Sequence, residues 1–113
     1  MRQRFRLTRA EDFQRVRRFG KSYAHPLVVL VVQANDGTEL HVGMAASRMV
    51  GGAVKRNRAK RLLRAAMQSV ITSVAPGWDI VLVARPALVD SDSFEVREAL
   101  LTLLRRAQLV LPA

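Results

Sequence analysis

A chain of 113 residues is long enough for one buried core and too short for two, so a single domain over residues 1–113 is expected. Half of the residues are apolar, which excludes disorder throughout, and the lack of cysteine excludes disulfide and thiolate chemistry. Nineteen Lys and Arg against nine Asp and Glu give a formal charge of +10, which opposes folding by self-repulsion unless a polyanion neutralises it.

The opening MRQRFRL is basic, but no apolar segment with a small-residue cleavage site follows, so no signal peptide is expected. No apolar run approaches the roughly 20 residues that span a bilayer, and a cytoplasmic location fits the missing cysteines. Thr8 with Glu11 reads as a capping box that opens a helix to about Arg18, with Ala10, Phe13 and Val16 at helical spacing and Gly20 as the stop. LVVLVVQ (27–33) is too apolar and β-branched for a surface helix and predicts a strand buried on both faces. NDG (35–37) signals a turn, with LHVGMAA (40–46) as the antiparallel partner of that strand. Gly51-Gly52 break the chain before a long helix over roughly 53–73. Pro76-Gly77 end that helix and lead into a third strand, WDIVLVAR (78–85). Asp92 with Glu95 is a second cap, opening a last helix that carries Phe94, Leu100, Leu101 and Leu104. The expected class is α/β (α+β), in the order αββαβα.

The charge is clustered. Residues 1–22 hold eight cations and two acids, and no acid occurs between Glu39 and Asp79, where Arg48, Lys55, Arg56, Arg58, Lys60, Arg61 and Arg64 fall. On a helical wheel Ala59, Leu62, Leu63, Ala66, Met67 and Val70 form one apolar arc. Asn57, Lys60, Arg61, Arg64 and Gln68 lie opposite, with Arg58 and Arg56 at the two margins. A solvated helix face normally interleaves Glu with Lys, and this one has no acid at i±3 or i±4. The cations also crowd a helix N-terminus, where the macrodipole disfavours them and free backbone N–H groups favour an anion, most simply a phosphate. Nucleic acid is therefore the leading partner and an anionic membrane surface the second. The membrane reading needs exposed bulky apolar groups beside the basic face, and this helix needs its apolar face for the core.

SRMVGGAVKRNRAKRLLR closely resembles the RNR segment of the bacterial ribonuclease P protein component family. EDFQRVRRFG is similar to that family's first helix, ELHVGMAAS to its second strand and DIVLVARP to its third. The resemblance implies a small α/β sandwich with a left-handed βαβ crossover, where general chirality rules favour a right-handed one. It also implies a subunit of a ribonucleoprotein endonuclease that removes the 5′ leader from precursor tRNA, with the RNA subunit as catalyst and Mg2+ required by the RNA-containing holoenzyme. The implied partners are the ribonuclease P RNA and precursor tRNA; no membrane contact is expected, and no obligate protein partner is inferred. By position, Arg56, Asn57, Arg58, Lys60, Arg61 and Arg64 would dock on the RNA subunit. Phe13, Arg17, Val31 and Ala84 would line a leader cleft between the first helix and the sheet, with Arg56 and Asn57 where the two surfaces meet. The chain departs from the family where Arg17 and Val31 replace common aromatics, where Met49 takes a usually basic place and where Gly52 takes one often held by Asn.

Catalysis by the protein itself finds no support in the residues. His25 and His41 are separated by a strand and a turn, with no carboxylate pair or Ser/His arrangement beside them. Asp36, Glu39 and Asp79 are scattered, and no Cys/His spacing suggests zinc. The expectation is no catalytic residue, no metal site and no cofactor on the protein alone. Trp78 reads as core or rim. Phe13 reads either as core or as a ring that lines the cleft. A general RNA-binding protein, ribosomal or assembly-related, is the alternative function.

Overall fold

The computed structural model describes residues 5–112. Its helices are α1 (Ala10–Phe19), α2 (Ala53–Val70) and α3 (Ser93–Arg106), and its strands are β1 (Lys21–Ala24), β2 (Val28–Ala34), β3 (Leu40–Ala46) and β4 (Trp78–Ala84). The strands form one mixed sheet in the order β1-β2-β4-β3, parallel between β3 and β4 and antiparallel elsewhere. α1 lies on one face, and α2 and α3 on the other. The class is the expected α+β, with one strand more than the sequence suggests.

The sheet corrects the expected pairing. β2 and β3 are not neighbours: β4 lies between them, antiparallel to β2 and parallel to β3. β4 is buried on both faces over most of its length, so it takes an interior place, whereas β3 is partly exposed from Met44 onward and ends at the edge. Asn35 still makes a turn, its Oδ1 accepting the Gly37 N–H at 2.9 Å. That turn does not close a hairpin. It spans the start of β4, where Asn35 N–H donates to the Gly77 carbonyl at 2.9 Å and Gly77 N–H to the Glu39 carbonyl at 2.8 Å.

β1 escapes prediction because KSYA is four residues long, with no apolar alternation to mark it. The first helix also starts later than its sequence suggests. Leu7 donates to the Val42 carbonyl at 2.9 Å, holding the chain extended along β3, so the N-cap falls on Arg9 (φ −89°, ψ 135°) and no Thr8–Glu11 capping box forms. The second box does form, with Glu95 N–H donating to Asp92 Oδ1 at 2.8 Å and Asp92 N–H to Glu95 Oε1 at 3.3 Å. α2 ends at Val70 and continues as a 3-10 turn to Ser73, matching the expected limit.

β2 is a two-faced strand, as its composition predicts. Val28, Leu30 and Val32 join the main core with Leu63, Met67, Ile80, Leu82, Leu100 and Leu104, while Val31 faces α1. Phe94 is the exception on α3, since it is exposed. The α1 side has a thin core of four buried residues, Leu7, Val16, Val31 and Val81. At roughly 1.5–3 kcal/mol each, these alone hold α1 weakly.

A polar clamp supplements them. Asp79, 4% exposed, receives Arg15 Nη2 at 2.7 Å, Asn35 Nδ2 at 3.0 Å and His41 Nδ1 at 2.9 Å. Arg15 also reaches Gln33 and Asp12, and His41 Nε2 meets Glu39 at 3.1 Å. Glu39 and Asp79, scattered in sequence, are thus gathered around His41. Hydrogen bonds to Asp79 and Glu39 outweigh burial and hold the His41 pKa above its usual 6.5. A raised folded-state value contributes stability that is complete below about pH 6.5 and lost as the pH rises through the raised value. The melting temperature should therefore fall across that window, and His41→Gln should flatten the fall. For Asp79, burial pushes the carboxyl up, but the bonds from Arg15, His41 and Asn35 win and hold it below 3.8. Its contribution is present above pH 3.8 and lost as the pH drops through the lowered value. Asp79→Asn should cost roughly 2 kcal/mol at neutral pH, less than a fully buried pair because Arg15 is partly solvated. Urea unfolding at pH 7 measures it.

Candidate nucleic-acid interface

The break before α2 is built by two glycines with different duties. Gly51 sits at φ 138°, ψ −160°, and a Cβ there would fall 2.6 Å from Lys55 Cδ, so glycine is required. Gly52 is the N-cap in extended conformation, with open space around it. Gly51→Ala should cost about 1–3 kcal/mol, whereas Gly52→Asn should gain a few tenths by capping the helix. Thermal melts of the two variants should move in opposite directions. No side chain caps this N-terminus and its first turn holds no acid, so its first N–H groups point outward and can meet an anion.

The apolar arc of α2 is buried as predicted at Ala59, Leu63, Ala66, Met67 and Val70, with Leu62 half-buried. The cations divide in a way the wheel does not show. Arg56, Lys60 and Arg64, spaced four residues apart, are half-buried along the flank that meets β3, while Asn57 and Arg61 are exposed. Lys60 and Arg64 therefore do not lie on the far face. The Nε–H groups of Arg56 and Arg64 are buried with no hydrogen-bond partner. A buried donor left unmade costs about 1–3 kcal/mol. Arg58 takes the other flank, where its Nε donates to the Val89 carbonyl at 3.3 Å. Among the described residues, none of the α2 cations is paired with an acid. The arginines at positions 2 and 4, part of the other basic cluster, lie outside the described residues.

Phe13 connects this flank to the other face of the sheet. Its ring lies on Gly43 of β3, where a Cβ would come within 2.4 Å of Cζ. It is half-buried, packing on the thin core while lining, with Arg6, Met44, Lys60 and Arg64, a groove of about 250 Å³ at the β3 edge. Core and cleft are not alternatives for this ring. Arg17, one turn further along α1, is exposed. Val31 is on the same face but 4% exposed, beneath α1. Ala84 corrects the expectation: at 3% exposure it belongs to the main core, on the opposite face from Phe13, because alternation along β4 turns residues 80, 82 and 84 toward α2 and α3.

The exposed floor beside α1 is made by residues the sequence reading passed over. Ala24, Val29, Val83 and Ala45 are direct neighbours across β1, β2, β4 and β3, and each remains partly or fully accessible. They form an apolar row across the whole sheet, walled on one side by α1. The available signal was the two-faced character of β2 and β4, which puts Val29 and Val83 on the face of Val31 and Val81. Missing β1 and its register hid the rest. Trp78 is half-buried against the main core, and His25 Nδ1 accepts the Leu27 N–H at 3.1 Å. Neither approaches the groove lining. Among the described residues no cluster of His, Cys, Asp and Glu is suited to hold a metal ion, and no helix is long and apolar enough to cross a membrane.

A family model described as Ribonuclease P matches residues 1–108. The chain belongs to the ribonuclease P protein family. The ribonuclease P protein component of Chloroflexus aurantiacus is 39% identical, covering 100% of this chain and 84% of that protein. That of Herpetosiphon aurantiacus is 36% identical, covering 92% and 85% respectively. Among solved structures, the ribonuclease P protein from Thermotoga maritima superposes with a TM-score of 0.79 at 31% identity, covering 89% of this chain and 96% of that one. The Staphylococcus aureus protein gives 0.82 at 26% identity, covering 94% and 97%. As a ribonuclease P protein, the chain is a subunit of the ribonucleoprotein that matures tRNA 5′ ends. Partnership with a ribonuclease P RNA follows from that membership.

Proposed function

We propose that α2 docks on the ribonuclease P RNA and that the trough beside α1 carries the single-stranded 5′ leader of precursor tRNA. The observation that carries this is the run Arg56–Lys60–Arg64, unpaired with any acid among the described residues, whose Lys60 and Arg64 line one groove with the half-exposed Phe13 ring at the β3 edge. Cations without acids suit a phosphate backbone, and an exposed ring beside an apolar floor suits unstacked bases. Asn57 and Arg61 extend the docking face outward. Arg58 supports it from the Val89 side, and Arg17 offers its guanidinium plane or charge to the leader where the family commonly has an aromatic. Val31 contributes by holding α1 over the sheet; Ala84 has no contact role.

In this reading the protein supplies electrostatics and positioning, and the RNA subunit with its Mg2+ supplies the chemistry, in the cytoplasm where tRNA is processed. Cationic side chains replace part of the counterion screening between two polyanions, so less magnesium is needed. Reconstitution with a bacterial ribonuclease P RNA tests it. Cleavage of precursor tRNA should begin at lower magnesium with the protein than without it, and the protein alone should cleave nothing. Cleavage by a preparation verified to be free of RNA would overturn the assignment of roles.

A further inference from the structure

We infer that the β1 edge of the sheet is a second contact for the leader, gripping the part upstream of the stretch on the trough floor through Tyr23, Lys21 and Arg106. The inference rests on the trough reading above. The floor ends at Ala24, on a strand that occupies the edge of the sheet. Alternation along β1 turns Ser22 and Ala24 toward the trough and Lys21 and Tyr23, opposite Val32 and Leu30, toward the α3 side. A strand leaving the floor and turning over the edge meets this second pair.

Two cations lie within reach of the Tyr23 ring there, Lys21 Nζ at 5.4 Å and Arg106 Cζ at 5.9 Å from its centroid. The ring is half-buried against the main core, which fixes its orientation, while Lys21 and Arg106 are exposed. Arg106 Nη1 donates to the Ala24 carbonyl at 3.0 Å, holding the guanidinium beside the last residue of the floor. Each cation also lies at a helix C-terminus, Arg106 at the end of α3 and Lys21 just after the Gly20 cap of α1, so the helix dipoles favour both places. Neither cation is paired with an acid among the described residues, and no acid occurs between Asp12 and Asp36. A fixed aromatic with unpaired cations within reach suits a single strand of nucleic acid. Continuity with the floor selects the leader over the RNA subunit, whose proposed docking helix lies at the β3 edge, three strand spacings or about 14 Å away.

The test uses the reconstituted holoenzyme and precursor tRNAs with leaders of about 4 and about 16 nucleotides, spanning the range of single-strand site sizes. Lys21→Gln with Arg106→Gln should weaken binding of the long leader roughly tenfold near 0.1 M salt. It should reduce the long leader's salt slope by about 1.4 and leave the short leader unchanged. Tyr23→Leu, which keeps an apolar contact with the core, should weaken the long leader without changing its slope. Equal losses on both lengths, weaker binding to the RNA subunit, or no loss on the long leader would each overturn the edge contact. Phe13→Ala, run in parallel, should weaken both lengths. If it weakens neither, the trough reading fails and the edge contact with it; if it weakens both while the edge variants change nothing, the edge contact alone is wrong.

Discussion

Changing Lys60, Arg61 and Arg64 together to Gln should reduce the slope of log affinity against log salt, for the RNA subunit, by about 2.7, since each lost phosphate contact removes about 0.9 on a duplex backbone. Near 0.1 M salt that amounts to a loss of roughly a hundredfold or more. Glutamine keeps the first two methylenes of the stem and the helix propensity, so the melting temperature should change little; alanine at the half-buried Arg64 would remove more of the packing along with the charge. Arg58 is left out because its Nε already serves the Val89 carbonyl, and its loss would disturb the turn after β4. A filter-binding or fluorescence titration at several salt concentrations reads both slope and affinity. An unchanged slope would move the docking surface elsewhere, first to the N-terminal arginines.

The basic helix α2 was legible in the sequence because its signal is local. A period of 3.6, a glycine pair and the missing acids all fall within one short stretch. What the wheel could not show is which flank of α2 faces another element. Lys60 and Arg64 look outermost on an isolated helix and become half-buried because β3 and Phe13 close against that side. The sheet was less legible for the same reason turned around, since strand order is a long-range property. The apparent hairpin between residues 27 and 46 is opened by β4, which arrives 32 residues later and takes the interior place because it is apolar on both faces. The misassignment of Ala84 shows how alternation limits positional reasoning: a residue carried over by position keeps its place in the chain, yet one step along a strand reverses its face. The Asp79 clamp was invisible because its members, Arg15, Asn35, His41 and Asp79, come from α1, the β2–β3 turn, β3 and β4.

On the proposed reading Phe13 serves both fold and leader binding, and substituting it should change both. Its ring closes the thin core over Gly43 and shows its remaining surface to the groove beside Lys60 and Arg64. A base stacked on such a ring contributes about 1–3 kcal/mol, so Phe13→Ala should weaken precursor tRNA binding by roughly tenfold or more. Mature tRNA, which has no leader, should bind the holoenzyme unchanged. The same variant should lower the melting temperature, because the space over Gly43 is left unfilled on the side where α1 has least to hold it. Two effects from one substitution would be ambiguous, and Phe13→Leu separates them. Leucine refills much of the contact with Gly43 but offers no aromatic face. It should recover most of the melting temperature while leaving the ratio of precursor to mature tRNA affinity as low as in Phe13→Ala. If Phe13→Leu instead restores that ratio along with the stability, the ring acts only by packing α1 against β3. The leader would then be held by the apolar floor and by Arg17, whose replacement by Ala should in that case give the larger loss, with a salt-dependent share.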